Sequence, residues 1–420
     1  MGQPSTCYAQ KLLYGVLLLR SHKSFDKLSP HERFPILVNI APAAQADRVM
    51  DWLSNEAIPL WSTQGVDWRG GGFQEALGFD SVPLEQTKLM RTTARQIHAF
   101  SVAKGLGCCE DGDNIIDHGI AFMRKGRTKR GGWGRSFNPD GTLLDATEET
   151  YDQACVLLAL AHAHQAGHPD ARRLGEETIE FLDRYLEDPK LTGFLETSEG
   201  SLERRSSSQM RLLEAFLAWY QATGDRSCMR KAADLGGLFE AHFFNSRTWT
   251  IGEFFDDFWM PEPERGNWTA PGHLFEWASL MAAGFAATIG QQDMLIYARK
   301  LYSFAIASGI SRTTGLAYDM VTSEGQPLNR MSSAWSQAEA LKASIVLDGV
   351  DGQDMGLETE ERLARLFRSH IDPAAQGLWI DRVDELGAPA AANVPAGTLH
   401  RLVVVMSRYL RLGQTPDLAA

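Results

Sequence analysis

An all-α (α/α)6 barrel with short β-hairpins in its loops is the fold class this sequence predicts, and three observations predict it. Glycines that end apolar helical runs recur about every sixty residues. A glycine followed by a large apolar residue recurs half a period out of phase. Between these landmarks, strongly apolar helical stretches alternate with amphipathic, charged ones, the signature of an inner and an outer ring.

The helix-ending glycines are Gly105, Gly167, Gly224, Gly290, Gly349 and Gly413. The second landmark opens short extended segments at Gly72-Phe73, Gly132-Trp133, Gly193-Phe194, Gly315-Leu316 and Gly377-Leu378-Trp379, with Thr248-Trp249 as a weaker sixth member. Asp140-Gly141 and Glu324-Gly325 read as hairpin turns. The apolar helices are expected over residues 151–164, 210–223, 274–289 and 335–347, and the amphipathic ones over 171–187, 226–242, 294–307 and 360–370. Residues 1–44 read as an N-terminal extension, expected to be poorly ordered, and 45–415 as one barrel domain that carries the chemistry.

Composition narrows the function. A formal net charge of −12 over 420 residues, with no Lys/Arg run, argues against a nucleic-acid partner. No apolar span reaches the roughly 18 residues a membrane helix needs. The apolar patch at residues 12–19 is too short to span, and no small-x-small cleavage site follows it. Cys7, Cys108, Cys109, Cys155 and Cys228 make no CxxC pair and no zinc spacing, so a reducing, cytoplasmic setting is the expectation. No HxH or HExxH pattern occurs, and neither metal nor cofactor is expected. A homodimer through the outer helices is left open.

The starts of the inner helices collect polar residues: Arg91, Arg95 and His98; Glu149 and Tyr151; Gln209 and Arg211; His273 and Glu276; Trp335, Gln337 and Glu339; His400 and Arg401. In a ring of parallel inner helices these converge on one mouth. Helix N-termini there favour an anion or an enediolate. His273 opens a helix after a Pro-Gly turn, with Glu276 three residues on and on the same face. A base and a carboxylate so placed can move protons; a polar cap with a surface histidine is the plain alternative. Trp133, Trp249, Trp268 and Trp379 offer flat faces for a sugar ring, or core. His22, His31, His118, His162, His164, His168, His242 and His370 read as structural or solvated, and His98 stays ambiguous.

Four segments, Pro271-Gly-His-Leu-Phe-Glu-Trp277, Gln209-Met-Arg-Leu-Leu-Glu-Ala215, Trp335-Ser-Gln-Ala-Glu-Ala-Leu341 and Gly377-Leu-Trp-Ile-Asp381, resemble the N-acylglucosamine 2-epimerase superfamily, over about residues 47–413. The resemblance implies an (α/α)6 barrel and metal-free proton transfer by histidines on a small-molecule sugar or sugar phosphate. By matching motif, His273 and His400 correspond to the acid/base pair. Arg95 matches an arginine that binds the reacting oxygens. Tyr151, Glu276, Trp335 and Gln337 fall at pocket-lining positions, and Trp379 and Asp381 are taken with them as sugar contacts. Glu276 is expected to fix the tautomer of His273.

One departure stands out. Ser207-Ser-Gln-Met-Arg211 replaces an Asn-x-x-Met-His pattern, so a family histidine is Arg211 here. Arg211 cannot act as a base but can hold an anion. With Arg204 and Arg205 it hints at a phosphorylated sugar; a solvated pair plus one structural arginine is the equal alternative. The leading expectation is an isomerase that converts mannose or mannose 6-phosphate to the matching fructose. The runner-up is N-acylglucosamine 2-epimerase or another aldose 2-epimerase. An (α/α)6 glycoside hydrolase using Asp256, Asp257, Glu276 or Asp381 and a non-catalytic binding protein are the remote readings.

Overall fold

The computed structural model describes residues 43–200, 203–351 and 355–412. The extension expected at residues 1–44 therefore lies, but for its last two residues, outside the described residues, as does Gly413.

Six inner helices form the barrel wall: α2 (Met90–Gly105), α4 (Thr150–Gln165), α6 (Ser206–Thr223), α8 (Pro271–Ser279, continuing through Leu280–Ile289), α10 (Ala334–Asp351) and α12 (Leu399–Leu412). Six outer helices alternate with them: α1 (Ala43–Asp51, continuing through Trp52–Ala57 and Ile58–Thr63), α3 (Gly112–Arg124), α5 (Ala171–Phe181 and Leu182–Leu186), α7 (Arg226–Leu238 and Phe239–Phe243), α9 (Met294–Gly309) and α11 (Gly356–Leu366 and Phe367–Ile371). Each inner helix packs on its neighbours, and α12 packs on α2, which closes the ring. No helix among the described residues is long and apolar enough to cross a membrane.

Burial explains the alternation of patterns. In α4 nearly every side chain from Thr150 to Ala163 is buried, because the helix has neighbours on all sides. In α5 the buried set is Ala171, Leu174, Gly175, Thr178, Ile179, Phe181, Leu182 and Leu186, while Arg172, Arg173, Glu176 and Glu177 pair along the outer face. Gly175 is needed for contact between the layers: a Cβ there would lie 2.0 Å from the Trp219 ring of α6.

The glycine landmarks resolve into two devices. Gly167, Gly224 and Gly290 end inner helices in the left-handed conformation. Gly105 instead lies in the last turn of α2, where Gly107 takes that conformation, and Gly349 lies inside α10. The second landmark marks the return to the barrel: Phe73, Trp133, Phe194 and Ala317 each bridge back to the end of the preceding outer helix. In the sixth case the bridging residue is Ile251, paired with Phe244, and not Trp249. Trp249 is exposed at the tip of that turn. The two expected hairpins are present, at Ser136–Phe137 with Leu143–Asp145 and at Met320–Thr322 with Pro327–Asn329.

Two residues after the bridges at Phe73, Phe194 and Ile251, and at Asp381 in the last repeat, comes a residue that staples neighbouring inner helices. The Glu75 carbonyl accepts from Ala396 N at the entry to α12, while its carboxylate accepts from Leu89 N and Thr92 Oγ1 at the start of α2. The Glu196 carbonyl accepts from Thr150 N of α4, and its carboxylate from Arg205 N and Ser208 Oγ of α6. Glu253 joins α6 to α8 in the same way, through Ser206 N and Ala270 N. Asp381 joins α10 to α12 through Ala334 N and Thr398 Oγ1. Each carboxylate thus caps one helix from outside it.

The staple predicts a graded loss. Glu196→Ala leaves the Arg205 N–H and Ser208 hydroxyl without their acceptor and is expected to cost about 1–3 kcal/mol, while Glu196→Gln, which keeps an accepting oxygen, is expected to cost less. Urea denaturation of the three proteins checks the order.

Candidate active site

The inner-helix starts bring together most, and not all, of the expected residues. The Arg95 Nη2 donates to Tyr151 Oη at 2.7 Å. The His273 and Trp335 rings lie 5.2 Å apart, and the Arg401 guanidinium lies over Trp335 at 5.1 Å. Gly272 allows this packing, since a Cβ on it would sit 2.5 Å from the Trp335 ring. Arg401 also borders a small cavity together with His400, Arg211, His98 and Lys342. A second small cavity shares His98, Arg211 and His400 and adds Arg95 and Cys155.

The two histidines are held oppositely. His273 Nδ1 lies 2.9 Å and 3.0 Å from the two Glu253 carboxylate oxygens, so Nδ1–H donates and Nε2 is left for a ligand. Burial pulls the His273 pKa down, but the Glu253 charge and hydrogen bond, helped by Glu276, outweigh it and raise it. His400 Nδ1 donates to the Gly397 carbonyl at 2.8 Å, which again leaves Nε2. Burial, with Arg95, Arg401, His98 and Arg211 nearby, drives the His400 pKa well below its usual value. The surroundings thus bias His273 toward imidazolium and His400 toward neutral imidazole.

Glu276 does not orient His273 as expected. It is wholly buried between Arg211, 2.7 Å away, and Arg401, 3.3 Å away. Arg211 also pairs with Glu214, Arg401 with Glu339, and Glu339 with Lys342, whose Nζ lies 4.0 Å from Glu214. These six residues close a ring of alternating charge across α6, α8, α10 and α12, with three cations and three anions. Burial alone would raise the Glu276 pKa; Arg211 and Arg401 hold it far below the carboxylate range. Arg211 is therefore committed to two carboxylates and does not stand free for a phosphate. Arg204 is buried on Asp188 under Trp259, and Arg205 is exposed. Among the described residues Arg95 has no carboxylate in ion-pair range, unlike Arg91, Arg211, Arg401 and Lys342.

Gln337, Trp379 and Asp381 are not part of the cluster. Gln337 clamps Ala317, accepting from its N–H at 2.9 Å and donating to its carbonyl at 3.2 Å. Gln153 clamps Trp133 and Gln209 clamps Phe194 from equivalent helix positions. Trp379 is fully buried, stacked on Trp61 at 5.0 Å. Trp133 is likewise core. Asp381 is spent on its staple, and Asp256 on a turn, accepting from Phe258 N and Met260 N.

Glu253 is the residue the sequence reading missed. The signal was present: counted from the bridging residue, Phe73, Phe194 and Ala317 place Glu75, Glu196 and Asp319 two positions on. Taking Trp249 for the bridge instead of Ile251 hides Glu253 from that comparison.

The sequence model of the N-acylglucosamine 2-epimerase (GlcNAc 2-epimerase) family matches residues 71–402. A mannose-6-phosphate isomerase of Rhizobium meliloti (strain 1021) is 30% identical over 371 residues, covering 86% of this chain and 95% of that one. A D-mannose isomerase of Thermobifida fusca is 28% identical, covering 84% and 88%. A cellobiose 2-epimerase of Dictyoglomus turgidum is 24% identical, covering 81% and 91%. Among solved structures, a D-mannose isomerase superposes with a TM-score of 0.77 at 20% identity, over 93% of this chain and 99% of that one. At these identities the structures establish a shared fold.

The charge ring predicts non-additive energetics. Glu276→Gln leaves two buried guanidinium groups under-compensated and is expected to cost about 3–5 kcal/mol; combined with Arg211→Gln the loss should be well below the sum of the single losses. A double-mutant cycle by chemical denaturation measures this. Because Glu276 is depressed in the folded state, its stabilisation is full above the unfolded carboxylate pKa near 4.3 and fades as pH falls below that, a slope that Glu276→Gln should flatten.

Proposed function

The chain belongs to the N-acylglucosamine 2-epimerase family, and on that premise we propose that it is an aldose–ketose isomerase that interconverts mannose, or mannose 6-phosphate, with the matching fructose by histidine-mediated proton transfer through an enediolate. One observation carries the reading: two imidazoles at inner-helix starts have their Nδ1 atoms tied down, which leaves both Nε2 atoms for a ligand, and their pKa values are driven in opposite directions.

In this reading the open-chain aldose lies between them. Neutral His400 takes the C2 proton through Nε2, and imidazolium His273 gives its Nε2 proton to O1. The C2–H electron pair becomes the C1–C2 double bond of the enediol. His273 then takes the O2 proton as His400 delivers its proton to C1, and the ketose results with both imidazoles restored. Arg95, free of carboxylates, and Tyr151 beside it hold the reacting oxygens. Trp335 supplies an apolar face next to His273. Glu253 acts through His273, keeping its Nε2 protonated. The paired state of Arg211 weakens the case for phosphate, whereas the name of the Rhizobium relative favours it, so both mannose forms are tested. A proton delivered to the opposite face of C2 would make the enzyme a 2-epimerase, the reading that the likeness to the cellobiose 2-epimerase favours.

Proton NMR in D2O with mannose, mannose 6-phosphate and N-acetylmannosamine tests this directly. Ketose signals from either mannose form are expected; a C2 epimer with deuterium at C2 would establish the epimerase, and no change in any sugar would overturn the proposal. His273→Ala and His400→Ala should each lower turnover by about 10²–10⁴-fold with the fold retained. Loss of the His273 proton with rising pH sets the alkaline limb of kcat/KM. Glu253→Gln removes the charge that raises the His273 pKa, so that limb should move to lower pH; an unmoved limb would rule out the role given to Glu253.

A further inference from the structure

A third imidazole borders the cavities that His400 lines. His98, on α2, is 5% exposed and lines both cavities together with His400 and Arg211. Its ring lies flat on His162 of α4, with centroids 3.9 Å and planes 12° apart, and its centroid is 6.0 Å from that of His400. The stack crosses from one inner helix to the next and fixes the plane of the His98 ring. Its Nε2 has no hydrogen-bond partner among the described residues.

A buried polar atom without a partner is costly, and where a native site keeps one beside a cavity it is there for a ligand or water to satisfy. We infer that His98 is a specificity residue that contacts the substrate, its Nε2 exchanging a hydrogen bond with a sugar hydroxyl on the carbons next to C2. The identity of the ligand rests on the isomerase reading; the contact itself rests on the cavity and the unpaired atom. The His98 and His400 ring centroids lie 6.0 Å apart with the planes tilted by 46°, so the two rings are neighbours on the edge of the same cavity. A neutral imidazole suits this task, because one ring nitrogen donates and the other accepts. Burial pushes the His98 pKa well below its usual value, and His162, Arg211, Lys342 and Arg408 push the same way, so it stays neutral next to the base it adjoins. It supplies a hydrogen bond without competing for the proton that His400 carries.

A pocket that hydrogen-bonds a hydroxyl rejects the analogue that lacks it. The wild-type enzyme should therefore discriminate mannose from 3-deoxy- or 4-deoxymannose, and His98→Phe, which keeps the ring stack on His162 and loses Nε2, should erase that discrimination. On mannose, His98→Phe is expected to lower kcat/KM by about 10- to 100-fold, mostly through KM, with little further loss on one of the two deoxy sugars. His98→Gln, which restores a polar terminus, should recover part of the loss. If the Phe variant does not fold, His98→Gln against His98→Leu makes the same comparison.

Equal kcat/KM in wild type and variant, or the same loss on all three sugars, would overturn the inference. Titration with mannitol, a hexitol that cannot isomerise, read by tryptophan fluorescence, separates the two proposals. Wild-type binding weakened by His98→Phe, with no turnover of any sugar, keeps the His98 contact and removes the isomerase reading. Mannitol binding equal in both proteins removes the contact and leaves the isomerase reading to the NMR assay.

Discussion

The barrel depends on one repeated interaction, the staple between adjacent inner helices. A helix start exposes N–H groups that need acceptors, and here the acceptor comes from the neighbouring repeat. The carbonyl of a link residue takes the first N–H of one inner helix, and its carboxylate caps the next. Closing the ring requires the last repeat to meet the first, which Glu75 does by holding Ala396 N and Leu89 N together, alongside the pairing of Ala76–Leu77 with Val394–Pro395. Because every inner helix is anchored at its N-terminus, the residues of the first turns are the best-positioned side chains in the molecule. The staple also changes the electrostatics expected of the mouth. The starts of α2, α6 and α8, which would attract an anion, already carry carboxylates, while Arg95 has none in ion-pair range among the described residues.

The same staple accounts for the chemistry of His273. In the α2 and α6 repeats the carboxylate accepts from an N–H at the helix start and from a hydroxyl three residues on, Thr92 or Ser208. In the α8 repeat the N–H is that of Ala270, and three residues on is His273. A structural capping pair becomes a carboxylate–imidazole pair by substitution of one side chain. The geometry that orients the ring and the charge that raises its pKa come from a contact the fold makes in any case. His400 is held differently, by a backbone carbonyl, and carries no counter-charge. The pKa separation of the two histidines thus follows from which kind of acceptor each Nδ1 meets.

Periodicity made the fold legible in the sequence. Both ring types and the two hairpins fall where apolar spacing and the Gly landmarks put them, because burial on all sides or on one side leaves a direct imprint on composition. Helix ends were less legible: Gly105 and Gly349 share the spacing of the true caps, yet one precedes the left-handed residue and the other sits within a helix. In the candidate site, the placement of His273, His400, Arg95, Tyr151 and Trp335 at inner-helix starts was legible from the sequence. Gln337 carries the same signal and does something else, since a glutamine at a helix start can clamp a loop backbone as readily as it can face a ligand. Glu276 was placed on the correct face, but helix spacing identifies neighbours only within one helix. Its actual partners, Arg211 and Arg401, come from α6 and α12 across the barrel, and nothing local announces them.

That long-range ring bears on how Arg211 should be understood. A lone arginine in a barrel interior would demand an anion, and a phosphosugar would be the natural candidate. With Glu214 and Glu276 already on it, and with Arg401, Lys342 and Glu339 completing the circuit, the interior reaches balance among its own side chains. A neutral sugar can then bind without being asked to supply charge. Outside the ring remain the Arg95 guanidinium, which has no carboxylate in ion-pair range among the described residues, and the Nε2 atom of His98, which has no hydrogen-bond partner there. On the proposed isomerase reading, the hydroxyls of a sugar would supply the hydrogen bond that His98 lacks, and Arg95 would meet its reacting oxygens.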